Sequence, residues 1–218
     1  MLGHENFTVF DDPRPRQRIN ATFDVKSEQF DYQVHALGYE TSSRDGSQKY
    51  LIEGDRFAYI QTAPYDRWEE FSSKFFNFAW PVVEGLGIQE FSRVGVRFIN
   101  RLDTPMENRI VADAGVYLNV SVGGPSGDSD IVKEFHTKVV KQTIKPNILY
   151  GLTVASVESP LPMHGGILLD IDAFFEGVLS ADRAKLNHVL SELRSQKNNI
   201  FEECITDRAR ELFGGWEE

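Results

Sequence analysis

The chain has 218 residues, of which 41% are hydrophobic and 26% are charged, and its formal net charge is −10. This composition is typical of a globular protein and excludes a disordered or fibrous one. A chain of this length buries a sizeable core without disulfides or metals. The negative charge counts against general nucleic-acid binding, because phosphates repel an acidic surface unless positive charge is gathered into a patch.

Cys204 is the only cysteine, which excludes an internal disulfide and any zinc site built from several cysteines. It lies on the apolar face of a predicted helix, a position typical of a buried structural thiol. Residues 1–16 carry acidic and polar side chains in place of the apolar run of a signal peptide. The sequence therefore predicts a cytoplasmic protein in a reducing compartment, with no membrane contact.

Residues 1–35 are predicted to be an irregular or extended entry to the fold, because acidic residues and Pro13 and Pro15 interrupt their start. Residues 36–215 form the predicted core. Three β-rich runs at 36–43, 48–54 and 56–62 are separated by hairpin-turn sequences and predict three short strands.

A helix is predicted to begin at Asp66, because Asp66 and Glu69 have the spacing of a capping box. Its apolar side chains recur every three or four residues and form one stripe: Trp68, Phe71, Phe75, Phe78, Ala79 and Val82. So wide a stripe has to be covered, and a sheet is the simplest cover.

The remaining elements are predicted as a strand at 90–105, a hairpin of strands at 131–144 and 147–159, and a last strand at 166–174. Ser180 is predicted to cap a long helix over 181–203, and Thr206 a short final one. The fold class is therefore α+β, a curved antiparallel sheet with two long amphipathic helices packed on one face. With no linker sequence between blocks, residues 1–218 are expected to be a single domain.

Three arginines fall on one face of the predicted strand at 90–105, because side chains alternate along a strand: Arg93, Arg97 and Arg101. They could bind an anion, or they could pair with acids on neighbouring strands. Asp170 and Asp172 also share a strand face and are candidate partners. We predict a polar network of Arg97 with at least one of these aspartates, on the sheet face away from the helices.

Asp170 and Asp172 are also candidate ligands of a divalent cation, which prefers several carboxylates. A D-x-D pattern alone is a weak signal for such a site. The histidines lack metal-ligand spacing such as H-E-x-x-H, and no nucleophile elbow or phosphate-binding loop is present. The sequence therefore predicts no metal and no cofactor, and it assigns no catalytic residue.

Four separated segments resemble those of a sporadically distributed family of bacterial conserved hypothetical proteins: YDRWEEF, RVGVRFINRLDTP, LLDIDAF and FEECITDRARELFGG. In order and spacing the resemblance covers residues 36–215. It implies a bacterial protein from a mobile or phage-defence neighbourhood. Members of the family have an additional N-terminal segment with a first strand, which the resemblance implies is missing here or replaced by residues 1–30.

We therefore expect a non-enzymatic binding or regulatory protein of bacteria, a component of a defence or toxin–antitoxin locus. Its acidic surface suits a basic partner protein. Two alternatives remain open. One is a metal-dependent enzyme that acts on a phosphate-containing substrate, with Arg93, Arg97 and Arg101 as anion clamps and Asp170 and Asp172 as metal ligands. The other is a nucleic-acid-binding module that uses the same three arginines.

Overall fold

The computed structural model of the chain describes residues 10–62, 65, 67–106, 114–122 and 132–213. The chain divides into two compact units, Met1–Ile88 and Gln89–Glu218, where the sequence predicted a single domain. Each unit has a four-stranded antiparallel sheet and at least one long helix. The α+β class with antiparallel strands is therefore confirmed.

The first unit contains β1 (Arg14–Asp24), β2 (Gln29–Ser42), β3 (Gln48–Glu53) and β4 (Phe57–Gln61), followed by α1 (Trp68–Gly85). The strands form a meander in the order β1-β2-β3-β4. The β1–β2 turn is stabilised by Asp24, whose carboxylate accepts hydrogen bonds from the backbone N–H groups of Lys26 (2.8 Å) and Ser27 (3.4 Å). These bonds lower the pKa of Asp24 below its ordinary value.

Helix α1 packs against β4, and aromatic rings fill the space between the helix and the sheet. The ring of Phe78 stacks on Tyr50 with centroids 4.3 Å apart, and Phe71 lies 5.0 Å from Tyr59. These contacts explain the wide aromatic stripe. The helix begins at Trp68 with Arg67 as its N-cap, and the proposed cap Asp66 lies outside the described residues.

The second unit contains β5 (Glu90–Pro105), α2 (Ala114–Tyr117), β6 (His136–Gln142), β7 (Ile148–Glu158), β8 (His164–Ser180), α3 (Arg183–Cys204) and α4 (Asp207–Leu212). The strand order is β5-β8-β7-β6, so β8 pairs with β5 on one side and with β7 on the other. All three pairings are antiparallel.

Helix α3 covers one face of the second sheet, over β5 and β8. Alternate side chains of β8 lie in the core on that face and are fully buried: Ile167, Leu169 and Ile171. The N-cap of α3 is Asp182, whose carboxylate accepts a hydrogen bond from the backbone N–H of Lys185 at 2.8 Å. The prediction of Ser180 as the cap is therefore wrong, whereas Thr206 is confirmed as the cap of α4.

The structure differs from the predicted architecture in two respects. The strands form two sheets rather than one curved sheet, and each long helix packs within its own unit. Residues 14–35, predicted as an irregular or extended entry, contain β1 and the first half of β2. Within the described part of the chain, no helix is long and apolar enough to cross a membrane.

Candidate functional site

The strands β5 and β8 bring together four of the five predicted site residues. In their antiparallel register Arg97 lies opposite Asp172, and Ile99 lies opposite Asp170. The main ion pair is therefore diagonal. The Arg97 guanidinium donates from Nε to Asp170 Oδ1 (2.8 Å) and from Nη2 to Oδ2 (2.6 Å). Such a bidentate pair fixes the guanidinium plane as well as its position.

A second ion pair joins the same two strands over a longer offset, because Arg93 lies opposite Glu176 and its partner Asp172 is four residues away along β8. Arg93 donates from Nη2 to Asp172 Oδ2 at 2.7 Å. Its guanidinium also lies over the ring of Phe174, 4.2 Å from the centroid. Attraction of the cation to the ring face adds to the ion pair, so the side chain is held from two directions.

Arg101 does not join this network, although it shares the strand face with the other two arginines. Its Nε donates to the carboxylate of Asp103 on its own strand, at 3.0 Å. Four of the five predicted residues therefore form two ion pairs between β5 and β8, and Arg101 lies outside them. All three arginines are paired, but only Arg93 and Arg97 pair with acids on a neighbouring strand, as the ion-pair interpretation of the sequence expected.

Burial of the Arg97–Asp170 pair is strongly uneven. The Asp170 side chain is only 8% exposed, whereas that of Arg97 is 58% exposed. The hydrogen bonds to Asp170 raise the pKa of Arg97 above its ordinary value, despite some loss of hydration. The Asp170 carboxylate is thus buried, whereas the outer edge of the Arg97 guanidinium faces solvent. Its remaining N–H donors make no bond to Asp170.

Apolar side chains lie on the same face as these charges. Ile99, two residues after Arg97, is 60% exposed. Val140 of β6 is 58% exposed and lies across the sheet from Arg97, through Gly151 and Asp172. We call this side of the second sheet the open face and define it by the residues Arg93, Arg97, Ile99, Val140, Asp170 and Asp172.

The apolar members of the open face were missed in the sequence, although the signal for one of them was present. The alternation that places Arg97 on the face also places Ile99 there. For Val140 there was no such signal, because its position depends on the pairing of β6 with β7.

The geometry gives little support to a metal site. Asp170 and Asp172 each accept a hydrogen bond from an arginine, so a cation would have to break both pairs. Within the described residues, no group of three or more His, Cys, Asp or Glu side chains is arranged to hold a metal ion.

Cys204 is buried in the core of the second unit, as predicted. Burial raises the pKa of its thiol to about 11, and the nearby Glu203 carboxylate acts in the same direction. Because only the thiolate is a good nucleophile, Cys204 is unreactive at neutral pH.

Lys197 on α3 is a half-buried titratable group. Its Nζ lies 3.7 Å from the ring centroid of Phe98. Burial, with a contribution from the charge of Arg194, lowers the pKa of Lys197 from 10.5 to about 8. The contact with Phe98 favours the charged amine and so opposes this shift.

We predict that the titration of Lys197 increases the free energy of unfolding as the pH rises. Between pH 8 and 10.5 the unfolded chain holds a proton on Lys197 that the folded chain has lost, so stability rises with pH in that window. The Lys197→Met variant should lack this rise. Urea unfolding of both proteins at pH 7 and pH 9.5 measures the difference, and identical pH dependences would disprove the assignment.

No protein-family model, curated protein or solved structure matches the chain. The functional assignment therefore depends on the geometry of the open face.

Proposed function

We propose that the chain is a non-enzymatic binding protein of bacteria that recognises another protein through the open face. The observation that carries this proposal is the state of Arg97. Its guanidinium is fixed by a bidentate pair to a buried carboxylate and yet its side chain is more than half exposed, on the same sheet face as the exposed side chains of Ile99 and Val140.

This arrangement has the properties of a protein-contact surface. Arginine is enriched among the residues that dominate binding energy, and apolar neighbours exclude water from its hydrogen bonds. Because Asp170 already holds the side chain in place, binding a partner costs less conformational entropy. The free guanidinium donors can bind backbone carbonyls or a carboxylate of the partner.

The charge of the chain indicates which kind of partner protein to expect. The charges of the open face are largely paired, so the contact itself is close to neutral. The chain as a whole carries −10, and this field attracts basic proteins over a distance. A basic partner protein with a neutral, partly apolar contact patch therefore fits best.

The two alternatives have weaker support. A phosphate or nucleic acid would have to compete with carboxylates that already occupy the inner donors of Arg93 and Arg97. The net charge of −10 also repels phosphates, which lowers the affinity for both of these ligands. A metal ion would require both ion pairs to open, whereas a phosphate could reach only the outer donors that the ion pairs leave free.

The segments that resemble the sporadic bacterial family include the two strands that carry the ion pairs of the open face. Two of the four segments, RVGVRFINRLDTP and LLDIDAF, lie on the neighbouring strands β5 and β8 and contain both ion pairs. We include in the proposal that the chain belongs to this family and acts at a defence or toxin–antitoxin locus in the bacterial cytoplasm.

Affinity capture from a lysate of the native bacterium tests the proposal. The Ile99→Asp variant replaces an exposed apolar side chain of the open face by a charge, whereas Ile144→Asp changes a fully exposed residue outside the strands. We expect the wild type and Ile144→Asp to retain the same protein, and Ile99→Asp to retain at least ~10-fold less of it. Equal capture by Ile99→Asp would refute the open face as the binding surface.

A further inference from the structure

The distal part of the β1–β2 hairpin extends beyond the rest of the first sheet. Strand β3 pairs with β2 only between Gly38 and Ser42. Residues 17–36 are all exposed, and in the described chain no third strand pairs with them. We call residues 17–36 the ribbon. A two-stranded ribbon by itself is only marginally stable in water.

The two faces of the ribbon differ sharply in polarity. Three cross-strand pairs on one face are apolar: Ile19 with Val34, Ala21 with Tyr32, and Phe23 with Phe30. The pairs between them, on the other face, are polar: Arg18 with His35, Asn20 with Gln33, and Thr22 with Asp31. Alternation in both strands therefore produces one apolar face and one polar face.

The apolar face is large and uncovered. Its five large side chains are between 48% and 66% exposed, and the rings of Phe30 and Tyr32 are neighbours with centroids 6.4 Å apart. Together they expose on the order of 600 Å². A patch of this size on a soluble protein marks an interaction site, and a standard interface buries about 800 Å² on each partner.

We propose that a second copy of this chain covers the apolar face of the ribbon. The two ribbons pack face to face and run antiparallel, related by a two-fold axis that passes beside Ala21 and Tyr32. The interface is isologous, so each copy presents the same residues to the other. The two ribbons then form a small four-stranded sandwich with polar outer faces.

The sizes of the side chains fit this symmetry. The bulky pair of Phe23 and Phe30 lies near the tip of the ribbon, and the smaller pair of Ile19 and Val34 lies near its base. Antiparallel packing places the large pair of one copy over the small pair of the other. Ala21, the smallest, meets its own counterpart near the axis.

The charges fit the same arrangement. Of the basic residues near the base of β1, Arg14 pairs with Asp11, and Arg16 pairs with Glu40 and Glu53 of the same copy, which leaves Arg18 to meet a partner. The tip is acidic on balance, with Asp24, Glu28 and Asp31 against Lys26. Antiparallel ribbons bring Arg18 of one copy level with Asp24 at the acidic tip of the other, because both lie three residues from Ala21 on β1. A parallel arrangement would place like charges together. An acidic tip also argues against an anionic membrane as the occupant, since such surfaces attract basic segments.

Sedimentation equilibrium of the purified protein tests the dimer. We expect a mass of twice the 24.8 kDa of one chain, at concentrations in the range of about 1–100 μM. Phe23→Asp and Tyr32→Asp should reduce the mass to that of a monomer. The matched changes Thr22→Asp and Gln33→Asp, on the polar face of the same strands, should leave the dimer intact. Thermal melts of all four variants check that the first unit remains folded.

Cross-linking tests the antiparallel geometry. In the Ala21→Cys variant a short bis-maleimide should join the two copies, because the new thiols face each other near the axis. The Asn20→Cys variant, with its thiol on the polar outer face, should react but remain uncross-linked. Cys204 is buried and does not interfere. A monomeric wild type at every concentration, apolar-face variants that stay dimeric, or equal cross-linking of the two cysteine variants would overturn the proposal.

Discussion

Replacement of Arg97 by alanine is expected to lower the free energy of unfolding by about 2–4 kcal/mol. The cost arises at Asp170, whose side chain is 8% exposed and loses both donors of its bidentate pair. An uncompensated carboxylate in that position is poorly hydrated. Chemical denaturation monitored by circular dichroism at pH 7 measures the loss.

Arg101→Ala is the matched control for this change. Arg101 lies on the same face of the same strand and pairs with Asp103, whose side chain is more exposed than that of Asp170. Its removal should cost no more than about 1 kcal/mol, as for other exposed ion pairs. Equal losses for Arg97→Ala and Arg101→Ala would show that burial of Asp170 contributes nothing to the pair.

Trp68→Ala is expected to destabilise the first unit by about 3–5 kcal/mol. Trp68 is the first residue of α1 and is 9% exposed, with its ring 5.8 Å from that of Phe71. Truncation leaves a cavity that the surrounding aromatic rings fill only in part. A thermal melt of the purified variant should show the corresponding fall in Tm.

The control for Trp68→Ala is Leu86→Ala, which removes an apolar side chain that is 67% exposed at the end of the same helix. This change should alter the stability by no more than about 0.5 kcal/mol. If the melting temperature of Trp68→Ala equals that of the wild type, the aromatic packing of α1 on β4 is wrong.

The local patterns of the sequence predicted most elements correctly but could not predict how the strands are shared between sheets. Alternation and helical periodicity define which side of an element is apolar, and they do so from neighbouring residues alone. The pairing partner of a strand is decided by contacts distant in sequence. One sheet and two sheets are therefore equally compatible with the same stripes on α1 and α3.

The first strands were missed for a different reason. Pro13, Pro15 and several charged residues at the start of the chain favoured an irregular segment. The alternation of Ile19, Ala21 and Phe23, matched by Phe30, Tyr32 and Val34, was present and indicates a hairpin. That pattern is the same one that makes the ribbon amphipathic.

The sequence predicted which charged residues share a strand face in the candidate site. It could not predict which arginine pairs with which aspartate. Alternation placed Arg93, Arg97 and Arg101 together, and the need to compensate buried charge suggested an aspartate partner. The diagonal pairing of Arg97 with Asp170 depends on the register of β5 against β8. The pairing of Arg101 with Asp103 within one strand likewise required the structure.

A double-mutant cycle on Arg97→Ala and Asp170→Ala tests most directly whether the arginines of the open face are held by the protein's own carboxylates. We expect the two changes to be strongly non-additive, with a coupling energy of about 1.5–3 kcal/mol between Arg97 and Asp170. The parallel cycle with Asp172→Ala should give a smaller coupling, because Asp172 pairs with Arg93. Losses that add to within about 0.5 kcal/mol for Arg97 and Asp170 would contradict the account and leave Arg97 available for an external anion.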